Sequence, residues 1–160
     1  MSLKITSAIF ASMLSLMSYG QEQRAVVCRD NAVNEQLVSL DNGLEERGFK
    51  LVKYQMITMP SGSLVPVTVT LEKDKMYQIN FIANKDYQQY TITLVDKDRK
   101  KWMDKKIKQK DNKGMFTESF AAPESGEYYI ILTQKVKGMA EACGGISVLK
   151  AVNDHLPYKK

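Results

Sequence analysis

From Phe49 onward the chain is patterned with a period of two, and this alternation, cut into short runs by turn residues, constrains the fold more than any other feature. Val65, Val67, Val69 and Leu71 alternate with Pro66, Thr68, Thr70 and Glu72, the pattern of a strand that buries one face and wets the other. Tyr77, Ile79, Phe81 and Ala83 repeat it against Gln78, Asn80 and Ile82, and Tyr90, Ile92 and Leu94 against Thr91 and Thr93. Met59-Pro60-Ser61-Gly62, Glu72-Lys73-Asp74-Lys75, Asp96-Lys97-Asp98-Arg99 and Pro123-Glu124-Ser125-Gly126 supply turn chemistry between runs. With Phe49 to Thr58, Met115 to Ala121, Glu127 to Gln134 and Gly145 to Val152 added, about seven or eight short strands are expected. An antiparallel β-sandwich is their natural architecture.

One segment before the strands has a different period. Val33, Leu37, Leu40 and Leu44 are spaced four, three and four apart, which places them on one face of a helix that Asp30 or Asn31 caps and Gly48 closes. Asp30, Glu35, Asp41, Glu45 and Glu46 are expected on its acidic outer face, against only Arg29 and Arg47. The bare pattern is that of an amphipathic helix packed on a sheet. The chain has 160 residues, 44% of them hydrophobic, enough for one core that needs neither a metal nor a dense disulfide framework. No second domain, repeat or linker is evident, so residues 21 to 160 are expected to form one sandwich domain.

Residues 1 to 20 are expected to be a secretory signal peptide. Lys4 gives a positive start, Ile5 to Met17 is uncharged and mostly apolar, and Ser18 and Gly20 occupy the small positions of a cleavage site before Gln21. The run is too short to span a bilayer, which takes about 20 residues. A secreted or periplasmic location follows, without a transmembrane segment. In such a compartment the only two cysteines, Cys28 and Cys143, are expected to form a disulfide. The competing reading makes Cys143 a nucleophile with His155 as base and Gly144-Gly145 as backbone donors.

Val67-Thr-Val-Thr-Leu-Glu-Lys-Asp-Lys-Met-Tyr-Gln-Ile-Asn80, Tyr90-Thr-Ile-Thr-Leu-Val-Asp96 and Phe120-Ala-Ala-Pro-Glu-Ser-Gly-Glu-Tyr-Tyr-Ile-Ile-Leu132 together resemble the bacterial pre-peptidase C-terminal domain. The resemblance extends from Val67 to Thr133. It implies a jelly-roll-like sandwich with a non-catalytic accessory or binding role beside secreted enzymes. The N-terminal helix is extra to that family, and no acidic cluster suggests calcium, so no site residue is carried over.

Catalytic signatures are sparse. One His excludes a His-rich metal site, and GxSxG, HExxH, P-loop and GxGxxG motifs are absent from the sequence. Neither a cofactor nor a metal is expected, the cations around Asp96-Lys97-Asp98 opposing a calcium site. Glu118, Glu124, Glu127 and Glu141 remain candidates for paired acid/base chemistry in an unrecognised hydrolase, although carboxylates in such positions are usually just solvated.

Charge is the feature that stands out. Between Asp96 and Lys113 lie nine bases, at Lys97, Arg99, Lys100, Lys101, Lys105, Lys106, Lys108, Lys110 and Lys113, against Asp96, Asp98, Asp104 and Asp111. The only Trp, Trp102, lies among them. If this segment forms an exposed hairpin, it offers a basic surface with an aromatic contact for an anionic glycan or surface. Nucleic acid is not expected as a partner, because no recognisable nucleic-acid module is present. The competing reading packs Trp102 inward and leaves the lysines to protect a sheet edge. The overall expectation is an exported, non-catalytic sandwich that binds a partner or ligand. Its rivals are an accessory subunit of an envelope or secreted-enzyme complex, and the hydrolase.

Overall fold

A computed structural model describes residues 28–111 and 114–152. The expected signal segment, Lys113 and His155 lie outside the described residues.

Helix α1 (Asn31–Glu45) leads into β1 (Phe49–Pro60), β2 (Val65–Leu71), β3 (Met76–Ile82), β4 (Tyr87–Asp96), β5 (Lys101–Lys108), β6 (Met115–Ala121), β7 (Gly126–Val136) and β8 (Glu141–Ala151). The strands form two antiparallel four-stranded sheets, ordered β1-β8-β3-β6 and β2-β7-β4-β5. This order is the jelly roll, in which every connection except that between β4 and β5 carries the chain from one sheet to the other. Only β4 and β5 are consecutive and also paired. The basic segment therefore supplies the turn and second strand of the one hairpin within a sheet among the described residues.

Alternation sorts the side chains as expected. Val67, Val69, Leu71, Tyr77, Ile79, Phe81, Tyr90, Ile92 and Leu94 all enter the core between the sheets. Several strands run further than the sequence pattern indicates, β1 to Pro60 and β8 from Glu141. Gly144 and Gly145 look like a strand boundary in the sequence, but lie inside β8 opposite Ile57 and Met56. Both are there for close approach. A Cβ on Gly144 would meet Met59 and Phe81 at 3.1 Å, and one on Gly145 would meet Leu37 and Met56 at 3.0 Å. The pair makes room for core and helix, and it sits in a strand ladder rather than at an oxyanion site.

Asp30 caps α1, its Oδ1 accepting from the N–H groups of Ala32 and Val33 at 3.1 and 3.2 Å. Past the helix, Gly48 takes the left-handed conformation at φ 86°. Val33 and Leu37 pack on Met56 and Ile82, so the helix covers the outer face of the first sheet. Asp41 departs from the expected solvent face, being only 5% exposed. It stands four residues after Leu37 and three before Leu44, which is the buried face of a 3.6-residue period. Its Oδ1 accepts from Ser147 Oγ at 2.6 Å and Asn80 Nδ2 at 3.1 Å.

Cys28 and Cys143 are joined by a disulfide, with their Cα atoms 5.6 Å apart. It ties the entry to α1 onto β8. With Sγ of Cys143 so engaged, the nucleophile reading has no thiol to use.

Candidate functional site

The sandwich is asymmetric. Helix α1 covers the first sheet, whereas among the described residues no comparable element covers the outer face of the β2-β7-β4-β5 sheet. Register gives the rows of that outer face. Pro66, Ile131, Thr93 and Asp104 lie side by side, then Thr133, Thr91 and Lys106, then Lys135, Gln89 and Lys108. The threonines are tied to their neighbours, Thr91 to Thr133 through hydroxyls 2.5 Å apart and Thr93 donating to Asp104 at 3.1 Å. Such pairs fix these side chains in place.

At one end of this face β5 carries a bulge. Leu94 pairs with Met103 but Val95 with Lys101, leaving Trp102 as the extra residue. Two successive residues then oppose one, which turns Lys101 and Trp102 toward the same side. Met103 is the residue that points into the core. The inward-packed Trp102 of the competing reading is thus corrected, since the indole is 37% exposed and Met103 only 8%. Beneath this end, Val95 is 7% exposed yet belongs to neither core cluster. Alternation from the inward Leu94 turns it outward, between its cross-strand neighbours Lys101 and Tyr129.

The indole is held on both its edge and its face. Nε1 donates to Asp96 Oδ2 at 2.9 Å, and the Lys100 ammonium lies 4.1 Å from the ring centroid. Asp96 Oδ1 accepts from the backbone N–H groups of Asp98 and Lys100, both at 2.9 Å, which folds the β4–β5 turn. Desolvation works against the Asp96 anion, but the bonds from Trp102, Lys100 and Asp98 and the Lys100 charge outweigh it and hold the carboxyl below its ordinary value. Arg99 closes the turn at φ 63°, a conformation that disfavours a side chain.

The basic residues do not form one patch. Lys97, Arg99 and Lys100 belong to the turn, while Lys101, Lys106 and Lys108 share the outer face with Trp102. Lys101 is paired with Asp104 at 2.8 Å. Lys105 leaves the group, because alternation sends it to the other side, where it meets Glu118 of β6 at 3.3 Å. Lys110 lies beyond β5 in a short 3-10 turn, Gln109–Asp111. Sequence reasoning missed Lys135, which register brings beside Gln89 and Lys108 from β7. Its position outward of the buried Gln134 and Val136 was the available signal.

The candidate carboxylates are dispersed among other tasks. Glu118 pairs with Lys105, and Glu127 accepts from the Tyr129 hydroxyl. Glu124 and Glu127 share with Asp96 and Asp98 a crevice of only about 20 Å³. Glu141 lines a separate, open groove of about 570 Å³ beside the disulfide, with Arg29, Asp30, Thr58 and Asn84. Among the described residues no three His, Cys, Asp or Glu are grouped to hold a metal, and no helix is long and apolar enough to cross a membrane.

No protein-family model matches the sequence, and a search of curated proteins finds no match. The fold is similar to a solved structure described as "CBM4 structure and function", at 15% identity over 64% of this chain and 78% of that one, with a TM-score of 0.43. It is also similar to PliG of Aeromonas hydrophila, a periplasmic inhibitor of g-type lysozyme, at 11% identity over 62% and 83% of the two chains, with a TM-score of 0.40. Nothing about a ligand follows from either likeness.

Proposed function

We propose that this is an exported, non-catalytic β-sandwich protein that binds an anionic polymer or surface through the outer face of its β2-β7-β4-β5 sheet. One observation carries the reading: the uncovered sheet face bears Lys106, Lys108 and Lys135, which form no ion pair among the described residues, beside the exposed Trp102. A sheet face whose backbone and threonines are fixed by their own hydrogen bonds needs little reorganisation to meet an extended partner. Unpaired ammonium groups supply attraction that salt weakens, with a screening length of about 8 Å under physiological conditions.

The disulfide between Cys28 and Cys143 supports export. Cleavage after Gly20 accompanies that reading, and intact mass of the exported protein should begin at Gln21. A product retaining Met1 overturns it.

Chromatography on a heparin matrix tests the binding role. The protein should be retained above about 0.1 M salt, and retention should fall steeply as salt rises. Replacing Lys100, Lys106, Lys108 and Lys135 with Gln should abolish retention and leave the melting temperature nearly unchanged, because exposed charges contribute little to stability. Wild-type elution below that salt concentration identifies the lysines as edge protection. The role beside a secreted enzyme that the pre-peptidase resemblance implies is compatible with this surface, which would then hold the enzyme's substrate or envelope.

A further inference from the structure

The end of the sheet face around Trp102 restricts which polyanion fits. Resting on the binding role proposed above, we infer that the face takes an extended acidic polysaccharide, one of whose sugar rings stacks on Trp102 while its acid groups engage Lys100, Lys106 and Lys108.

The indole offers a ligand its face and nothing else. Its single donor, Nε1, is already bonded to Asp96, and the outward-facing Val95 opposite the bulge gives an apolar, buried floor at this end. A phosphate or sulfate oxygen finds no free hydrogen-bond donor on the indole itself, while the C–H face of a pyranose finds a flat apolar partner. The Lys100 ammonium now stands over that ring at 4.1 Å. A neutral sugar would displace the cation and give it no new partner. A polyphosphate would satisfy the cation and leave the ring unused. A sugar bearing a carboxylate does both at once, replacing the ammonium on the indole and receiving it as a counter-ion.

The remaining charges set direction and length. Lys106 and Lys108 follow Trp102 along β5 on the same outer face, about 13 and 20 Å away at the rise of a strand. A polymer lying along β5 therefore has to be extended over several sugars, with acid groups recurring along it.

Trp102 is the only Trp in the chain, so its fluorescence reports this site in the unmodified protein. Titration with a polyuronate should shift the emission saturably. By calorimetry, Trp102→Ala should weaken polyuronate binding about tenfold or more, as loss of an aromatic anchor does, and Trp102→Phe should recover most of it. Polyphosphate should bind the wild type and Trp102→Ala with equal affinity. Circular dichroism and the melting temperature of each variant establish that it is folded. If polyphosphate and polyuronate behave alike and Trp102→Ala changes neither, the sugar inference falls and the polyanion role stands. If a neutral glucan binds as well as the polyuronate, the requirement for acid groups falls. If no polyanion binds, both readings fall.

Discussion

The Ser147 hydroxyl donates to Asp41 Oδ1 at 2.6 Å, joining helix α1 to the centre of the first sheet inside a largely apolar contact. Asn80 Nδ2 donates to the same Oδ1 and to Ser147 Oγ, both at 3.1 Å, closing a triangle of three buried polar residues. The other oxygen, Oδ2, is buried without a partner. Helix docking thus rests on a carboxylate whose ionised form is only half satisfied, which is costly in a low-dielectric site.

Asp41 should make stability depend on pH. Burial foremost raises its carboxyl above the ordinary 3.8, the bonds from Ser147 and Asn80 opposing this and the Glu45 charge adding to it. Tyr54 of β1 also faces it, its phenol pushed up by burial and by the Asp41 charge. A raised folded-state value favours the protonated form, so its stabilising contribution is complete below pH 3.8 and is lost as pH climbs through the raised value. Asp41→Asn removes that loss. The melting-temperature difference, Asp41→Asn minus wild type, should grow from pH 3.5 to pH 7; a difference that stays constant contradicts the assignment.

Trp102 and Met103 should exchange the roles that their sizes suggest. Met103 is 8% exposed and packs in the main core, so Met103→Ala should cost about 2 to 5 kcal/mol. Trp102→Ala removes one hydrogen bond and one cation contact at the surface, and should cost about 1 to 2 kcal/mol. Urea unfolding of both variants gives the order, and a larger loss at Trp102 would place the indole in the core after all.

The disulfide spans 115 residues of sequence, and its removal as Cys28→Ser/Cys143→Ser should lower stability by about 2 to 4 kcal/mol. Denatured, unreduced protein should show no thiol to a labelling reagent. Two labels per chain on protein from its native compartment would return Cys143 to candidacy as a nucleophile.

Gly145→Val should undock the helix without dissolving the sandwich. Even a Cβ at this position lies 3.0 Å from Leu37 and Met56 and 3.1 Å from Val33, and the overpacking should cost about 1 to 3 kcal/mol. Hydrogen exchange should quicken in α1 while β4 and β7 stay protected. Uniform acceleration across all strands would mean that helix and sheets unfold as one unit.

Most of the strands were legible because alternation is a local property: a residue and its second neighbour take opposite or equal sides whatever the strand pairs with. The helix was equally legible, its cap narrowed to Asp30 or Asn31, of which Asp30 takes the role. The burial of Asp41 is implied by the same spacing that identifies Leu37 and Leu44, but a carboxylate at such a position ordinarily faces solvent. Part of the candidate site was legible too, since the basic run of β5 and its turn is continuous in sequence. Lys135 was not, because it reaches the face only through the pairing of β4 with β7, across some forty residues of intervening chain.

The sequence by itself determined that the chain makes strands whose alternate residues face one core, that one capped helix precedes them, and that two cysteines are available to each other. These follow from periodicity and local turn chemistry, which act over a few residues. Tertiary structure alone decided that the strands close as β1-β8-β3-β6 on β2-β7-β4-β5, that α1 covers one sheet, and that no element among the described residues covers the outer face of the other. It also decided the site. A bulge set by the register of β5 on β4 turns Lys101 and Trp102 outward together and sends Lys105 across to Glu118. Register is a property of two strands, and a row of charges in one strand becomes a surface only when its neighbours fix which side each residue shows.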